Sequence, residues 1–184
     1  GNLPLVEVLR EALARDQAQQ SATVTMDQAR RKVRSFIQPI HHFRDASLQS
    51  AAPPVEQVTV FDEAQRAWNL SKIQRFMRRQ RGEDFGQSEP EFLIGVMDRH
   101  QDWCAIICLV GGGQEIHDGE AGLVEWFDAL KRSYPNWLVY TSDQLTRPAY
   151  SWGHDLSAKL ANLSYRIEAD LHLAVSVRSF RAES

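Results

Sequence analysis

Val58-Thr59-Val60-Phe61-Asp62-Glu63-Ala64-Gln65 passes from an apolar run straight into two acids. β-Branched residues followed by a bare carboxylate pair predict a buried parallel strand whose C-terminal end points acid side chains into a cleft, where α/β proteins place their ligands. Two acids there suit a nucleotide hydrolase. Asp62 would hold Mg²⁺ through its water shell, and Glu63 would polarise the attacking water. A strand ending in a solvated acidic turn would carry the same eight residues, so the rest of the chain has to decide.

A second apolar run, Trp103-Cys104-Ala105-Ile106-Ile107-Cys108-Leu109-Val110, predicts a strand covered on both faces. It opens directly into Gly111-Gly112-Gly113-Gln114-Glu115-Ile116. Three glycines permit a tight, bare turn beside a ligand and would present Gln114 into the cleft. Two strands then end in polar groups on one predicted sheet edge, a coincidence harder to reach by chance than either motif alone. Trp137-Leu138-Val139-Tyr140 predicts a third strand, and the alternating run from Leu171 to Arg181 a last one with arginines at its far end.

Length and charge set the frame. The chain has 184 residues, 43% hydrophobic and 24% charged, enough for one sizeable core and too few for two comfortable domains. A net charge of −3 means that any nucleic-acid contact must come from a local patch. No apolar run reaches transmembrane length, and no signal peptide opens the chain. Cys104 and Cys108 lie four residues apart, too distant on an extended strand to bond each other. They read as buried free thiols of a reducing, cytoplasmic compartment.

Apolar periodicity predicts helices over 4–20, over about 25–38 with Thr25 as cap, over 64–81, from Ser88 onward in a capping-box pattern, through Leu123 to Leu130, and weakly over 156–163. Residues 39–57 read as a connector closed by Pro53-Pro54, and 141–153 as irregular. His41 and His42 within the connector have no Cys or second His at a metal-ligand spacing. The 64–81 helix carries a basic face on which Arg66, Lys72, Arg75 and Arg79 are candidates for phosphate contact, although a solvated exterior has the same composition.

In order, Phe61-Asp62-Glu63-Ala64-Gln65, Leu109-Val110-Gly111-Gly112-Gly113-Gln114-Glu115 and a strand ending in Arg178-Ser179 resemble the Walker B, motif III and motif IV series of superfamily 1 helicases. With Arg66-Ala67-Trp68 and Gly119-Glu120-Ala121-Gly122 added, the wording resembles more closely the Schlafen-like group of helicase-type P-loop NTPases. The opening Gly1-Asn2-Leu3-Pro4-Leu5-Val6 resembles the family's motif Ia region, so the resemblance spans the chain. It implies an α/β fold: a three-layer RecA-like P-loop NTPase core with a mainly parallel sheet, here a single partial domain over residues 1–184. It implies ATP and Mg²⁺ as cofactors of the intact protein, and DNA or RNA as partner. Asp62 would be the Mg²⁺-associated acid and Glu63 the water activator, with Gln65 supporting the region. Gln114 would sense the γ-phosphate, and Arg178, ahead of Arg181, would reach the transferring phosphate.

One departure outweighs these matches. A P-loop needs Gly-x-x-x-x-Gly-Lys-Ser/Thr, yet Lys32, Lys72, Lys131 and Lys159 follow Arg, Ser, Leu and Ala. The Walker A loop and its strand are therefore expected to be missing, either because the chain is a fragment that begins after them or because the protein never had them, and the 184 residues are expected to hold no nucleotide and not to hydrolyse ATP at a useful rate. A sheet without that strand would leave unpaired edges, so the chain is expected either to form a homodimer through such an edge or to close the sheet with a different strand order. Three functions fit: part of a nucleic-acid-dependent ATPase acting as helicase or translocase, a non-catalytic nucleic-acid-binding or regulatory module keeping the helicase fold, or a metal-dependent nuclease built on Asp62 and Glu63. The last fits least, because no lysine follows the acid pair closely.

Overall fold

The computed structural model describes residues 3–21, 23–82, 84–111, 117–147 and 153–173. The chain divides into two compact units, Gly1–Ala52 and Pro53–Ser184, with the division inside the 39–57 stretch.

The first unit is helical: α1 (Leu3–Gln20), α2 (Met26–Phe36) and α3 (Ile40–Gln49). Ala14 of α1 buries against Ala29 and Val33 of α2, small side chains that let the two helices approach closely. Thr25 caps α2 as its sequence predicts. Its hydroxyl accepts the Gln28 N–H at 3.3 Å while Gln28 Oε1 accepts the Thr25 N–H at 2.9 Å. At the other end Arg10 donates from Nε and Nη2 to the Ile37 carbonyl, at 3.0 and 2.6 Å, satisfying an acceptor the helix leaves open. The connector reading needs correction over ten residues, because Ile40–Gln49 coils into α3 directly after Pro39. A proline with φ near −59° is preset for a helix start, and Ser47 Oγ returns to the Phe43 carbonyl at 2.8 Å, so the polar composition conceals a regular turn.

The second unit alternates strands and helices: β1 (Val58–Phe61), α4 (Leu70–Arg81), α5 (Glu89–Met97), β2 (Ala105–Cys108), α6 (Gly122–Ser133), β3 (Leu138–Thr141), α7 (Leu156–Leu160) and β4 (Ser164–Ile167). β1 pairs parallel with β2, and β3 parallel with β4. Among the described residues these are two separate two-stranded sheets, so the architecture is mixed α/β with short parallel pairs. The helices α5 and α6 pack on each other and carry much of the core, including Leu93, Met97 and Trp126.

Four expectations change here. The 64–81 helix is broken: a 3₁₀ turn at Ala64–Arg66 is followed by an extended step through Ala67 and Trp68, and Asn69 restarts the chain as the cap of α4. Trp68 leaves helical geometry because its backbone bridges to Glu120. The strands are not covered on both faces, for Val58, Val60 and Ile107 are 44%, 56% and 45% exposed while Phe61 is buried. The weak helix over 156–163 ends at Leu160, and Ser164–Ile167 forms β4, a strand the sequence conceals. Its Ser-Tyr-Arg-Ile composition lacks the continuous apolar run of a buried parallel strand, and all four residues are exposed. Leu171 closes a 3₁₀ turn, Ala169–Leu171, instead of opening a strand, and the rest of that expected strand from Ala174 onward lies outside the described residues.

Both cysteines are free thiols, and burial pushes Cys108 up to about 12. Among the described residues no helix is long and apolar enough to cross a membrane.

An ion pair with a nearly buried carboxylate ties α5 to α6. Glu91 accepts from Arg132 Nε and Nη2 at 3.2 and 2.7 Å and from Ser133 Oγ at 2.6 Å. Burial alone would raise the Glu91 carboxyl, but the donors and charge of Arg132, with Ser133, hold it below the usual carboxylate range. A carboxyl lowered in the folded state contributes stability above its unfolded value, near about 4.3, and loses it as pH falls through the folded value. Glu91→Gln is therefore expected to melt earlier than the native chain at pH 7, by on the order of 2 kcal/mol, with the difference closing below about pH 4. Melting curves of both proteins between pH 7 and pH 3 check this. Parallel curves across that range would rule it out.

Candidate functional site

The acid pair sits where the sequence places it, at the C-terminal end of β1. The register Phe61↔Cys108 puts the exits of β1 and β2 side by side, and the Ala64 N–H donates to the Leu109 carbonyl at 3.0 Å just beyond them. Asp62 is exposed, and its Oδ1 accepts the Glu63 N–H at 3.0 Å. Glu63 adopts left-handed backbone, φ 52° and ψ 46°, a conformation an L side chain takes at some cost and one that turns the chain sharply off the strand. Two hydrogen bonds secure the 3₁₀ turn that follows. Arg66 N–H donates to the Glu63 carbonyl at 2.9 Å, and the Trp126 indole Nε1–H reaches the Ala64 carbonyl at 2.9 Å from α6. Gln65 lies in this turn, 1% exposed.

Arg66 bridges two carboxylates. Its Nη1 meets Glu63 Oε2 at 3.0 Å and its Nε meets Glu120 Oε1 at 3.1 Å. Glu120 was visible in sequence only as the acid within Gly119-Glu120-Ala121-Gly122, and the structure gives it a defined task. Its side chain is 6% exposed, and its second oxygen accepts the His117 N–H at 3.0 Å. Burial would raise this carboxyl, but the His117 amide and the Arg66 guanidinium bring it below the ordinary range. The neighbouring backbone is stitched to the segment after the acids: Ala121 N–H to the Ala67 carbonyl at 2.7 Å, and Asn69 N–H to the Gly119 carbonyl at 2.9 Å. Gly119 has φ +87°, and a Cβ there would lie 2.6 Å from Lys72 Cδ, so both its backbone and its neighbour call for glycine. Glu89, another residue without a role in the sequence reading, is buried and accepts the Trp68 N–H at 2.9 Å.

The four basic candidates separate. Arg66 is engaged as described. The Lys72 ammonium stands 5.0 Å over the Trp68 ring, a cation–π contact that holds its stem on Gly119. Arg75 and Arg79 are exposed on consecutive turns of α4, four residues apart on one face. Arg78, beside them, pairs with Asp84 at 2.7 Å. Gln114, Arg178 and Arg181 lie outside the described residues.

Among the described residues no three His, Cys, Asp or Glu side chains group closely enough to hold a metal by themselves. Mg²⁺ in phosphoryl-transfer sites asks for less, one or two carboxylates with water and substrate phosphate. Asp62, exposed at a strand end with Oδ1 on a backbone amide, can supply one such carboxylate.

No curated protein and no solved structure shows a significant match to the chain. The family model described as "Schlafen group 3, DNA/RNA helicase domain" matches residues 1–184. A match over all 184 residues, on a chain that sets an Asp-Glu pair and Gly111 just beyond the ends of two paired parallel strands, places it plainly: the chain belongs to the Schlafen group 3 DNA/RNA helicase domain family.

Proposed function

We propose that the chain forms part of the core of a nucleic-acid-dependent ATPase that acts as a helicase or translocase. The observation that carries this reading is the parallel, in-register pairing of β1 with β2, from which Asp62-Glu63 and Gly111 leave at the same end. Ligands of parallel α/β sheets gather at that end. Asp62 would contribute a carboxylate to Mg²⁺, whose chemistry is to neutralise charge on the transferring phosphate. Glu63 would take the proton of the attacking water. Gln114 and Arg178 keep the phosphate-sensing and phosphate-reaching roles that the family resemblance implies.

The phosphate anchor must come from residues other than these, since no lysine of the chain follows a glycine. The decisive test is ATP hydrolysis, with and without single-stranded DNA or RNA, by a polypeptide that joins residues 1–184 to a Gly-Lys-Ser/Thr loop. Stimulated turnover by that polypeptide, with none from the 184 residues alone, is the expected result. A polypeptide that binds single strands but neither binds nor hydrolyses nucleotide would instead favour the second reading, a non-catalytic nucleic-acid-binding module.

The exposed pair Arg75 and Arg79 favours nucleic-acid contact under either reading. Each phosphate neutralised on a single strand adds about 0.7 to the slope of log affinity against log salt. Replacing both arginines by alanine is expected to weaken single-strand binding about tenfold near physiological salt and to reduce that slope by about 1.4. Fluorescence anisotropy titrations at several salt concentrations measure both, and an unchanged slope would exclude α4 from the interface.

A further inference from the structure

We propose that Arg66 is a positioning residue for the Glu63 carboxylate and that Glu120 fixes Arg66 in place. The inference rests on the ATPase reading, in which Glu63 activates water. A water-activating glutamate needs one defined position, and nothing in the backbone supplies it. Glu63 stands on a left-handed turn at the strand exit, a third of its side chain is exposed, and its one ion-pair partner among the described residues is Arg66. A lone pair at i,i+3 between two solvated side chains would fix little.

Arg66, however, is not free to wander. Its Nε is held at 3.1 Å by Glu120, a nearly buried carboxylate that is itself held by the His117 amide and flanked by the Ala121 to Ala67 backbone bond. The order of constraint thus runs from the backbone through Glu120 to the guanidinium and out to Glu63. The planar fork of arginine is what allows this, because Nε and Nη1 present donors in fixed directions to two acceptors, whereas a lysine ammonium offers a point charge on a flexible stem. The same geometry removes Arg66 from the residues available to a nucleic-acid phosphate, leaving Arg75 and Arg79 for that role.

Two readouts test the chain of contacts. The first needs no catalysis: in ¹⁵N-labelled 1–184, the Arg66 Nε–H is expected to exchange slowly and to become fast in Glu120→Gln, where the charged acceptor is lost. A fast-exchanging Nε–H in the native chain would overturn the proposal. The second uses the polypeptide that carries the phosphate loop. Arg66→Ala, Arg66→Lys and Glu120→Gln are each expected to lower kcat by about tenfold or more, with KM for ATP within about twofold. The double variant Arg66→Ala/Glu120→Gln should be no slower than Arg66→Ala, since both act through one contact. If Glu63→Gln abolishes turnover while Arg66→Ala keeps full kcat, the positioning role fails and the ATPase reading stands. If Glu63→Gln turns over normally, Glu63 does not activate water and the positioning role fails with it; if the loop-bearing polypeptide does not hydrolyse ATP at all, the ATPase reading itself fails. Loss of single-strand affinity in Arg66→Ala at unaltered kcat would show Arg66 to be a phosphate contact and overturn the proposal.

Discussion

Glu63→Gln is expected to reduce nucleic-acid-stimulated ATP hydrolysis by a factor on the order of 10²–10⁴, the usual contribution of a positioned general base, while ATP binding stays within a few-fold of native. Glutamine has the same reach as glutamate and suits the same left-handed turn at φ 52°, so the strand exit keeps its shape. What it lacks is the charge that accepts a proton. The pair lost with Arg66 is half-exposed and contributes little to stability by itself, so the variant should melt within a degree or two of native. Asp62→Asn should behave differently, raising the Mg²⁺ concentration needed for half-maximal rate, because under the proposed function it is the exposed Asp62 that would supply a carboxylate to the cation. Steady-state rates over a range of ATP and Mg²⁺ concentrations separate the two effects. Turnover by Glu63→Gln at more than a tenth of the native rate would remove Glu63 from the chemistry.

Much of the site's placement was legible because it depends on local alternation of residue types. Val58 to Phe61 and Ala105 to Cys108 are strands in the sequence and in the structure, and the acid pair ends the first of them. Thr25 and Ser88 also read correctly as punctuation, since caps are short-range devices. What stayed hidden depends on contacts between segments far apart in the chain. Glu120 lies 54 residues from Arg66, and only the backbone bridge between Trp68 and Glu120 shows why the predicted 64–81 helix breaks at Ala67. β4 was hidden for the same reason: Ser164 to Ile167 has no strand signal of its own and exists by pairing with β3. The continuous apolar composition of β2 suggested two covered faces, yet Ile107 is exposed, because composition reports what a strand can bury and not what lies against it.

Trp126 links that hidden framework to the acids, and its removal should be the most damaging single change to the second unit's stability. The indole is buried, packs on Phe61 of β1 with ring centroids 5.8 Å apart, and donates Nε1–H to the Ala64 carbonyl at 2.9 Å. Trp126→Ala loses the ring and leaves a cavity, at a cost of about 3–5 kcal/mol, or a fall in Tm on the order of 10 °C for a unit of this size. Trp126→Phe isolates the hydrogen bond. Phenylalanine refills most of the volume but has no donor, and the Ala64 carbonyl is left with the longer 3.3 Å bond from the Ala67 N–H, for an expected loss of about 1–3 kcal/mol. Because that carbonyl belongs to the turn just after Glu63, the Phe variant should also speed exchange of the Ala64 amide, which donates to Leu109. Thermal melts and amide exchange read the two effects independently. Equal Tm and equal Ala64 exchange in Trp126→Phe would mean that packing alone, without the indole bond, holds the acidic turn on the end of the sheet.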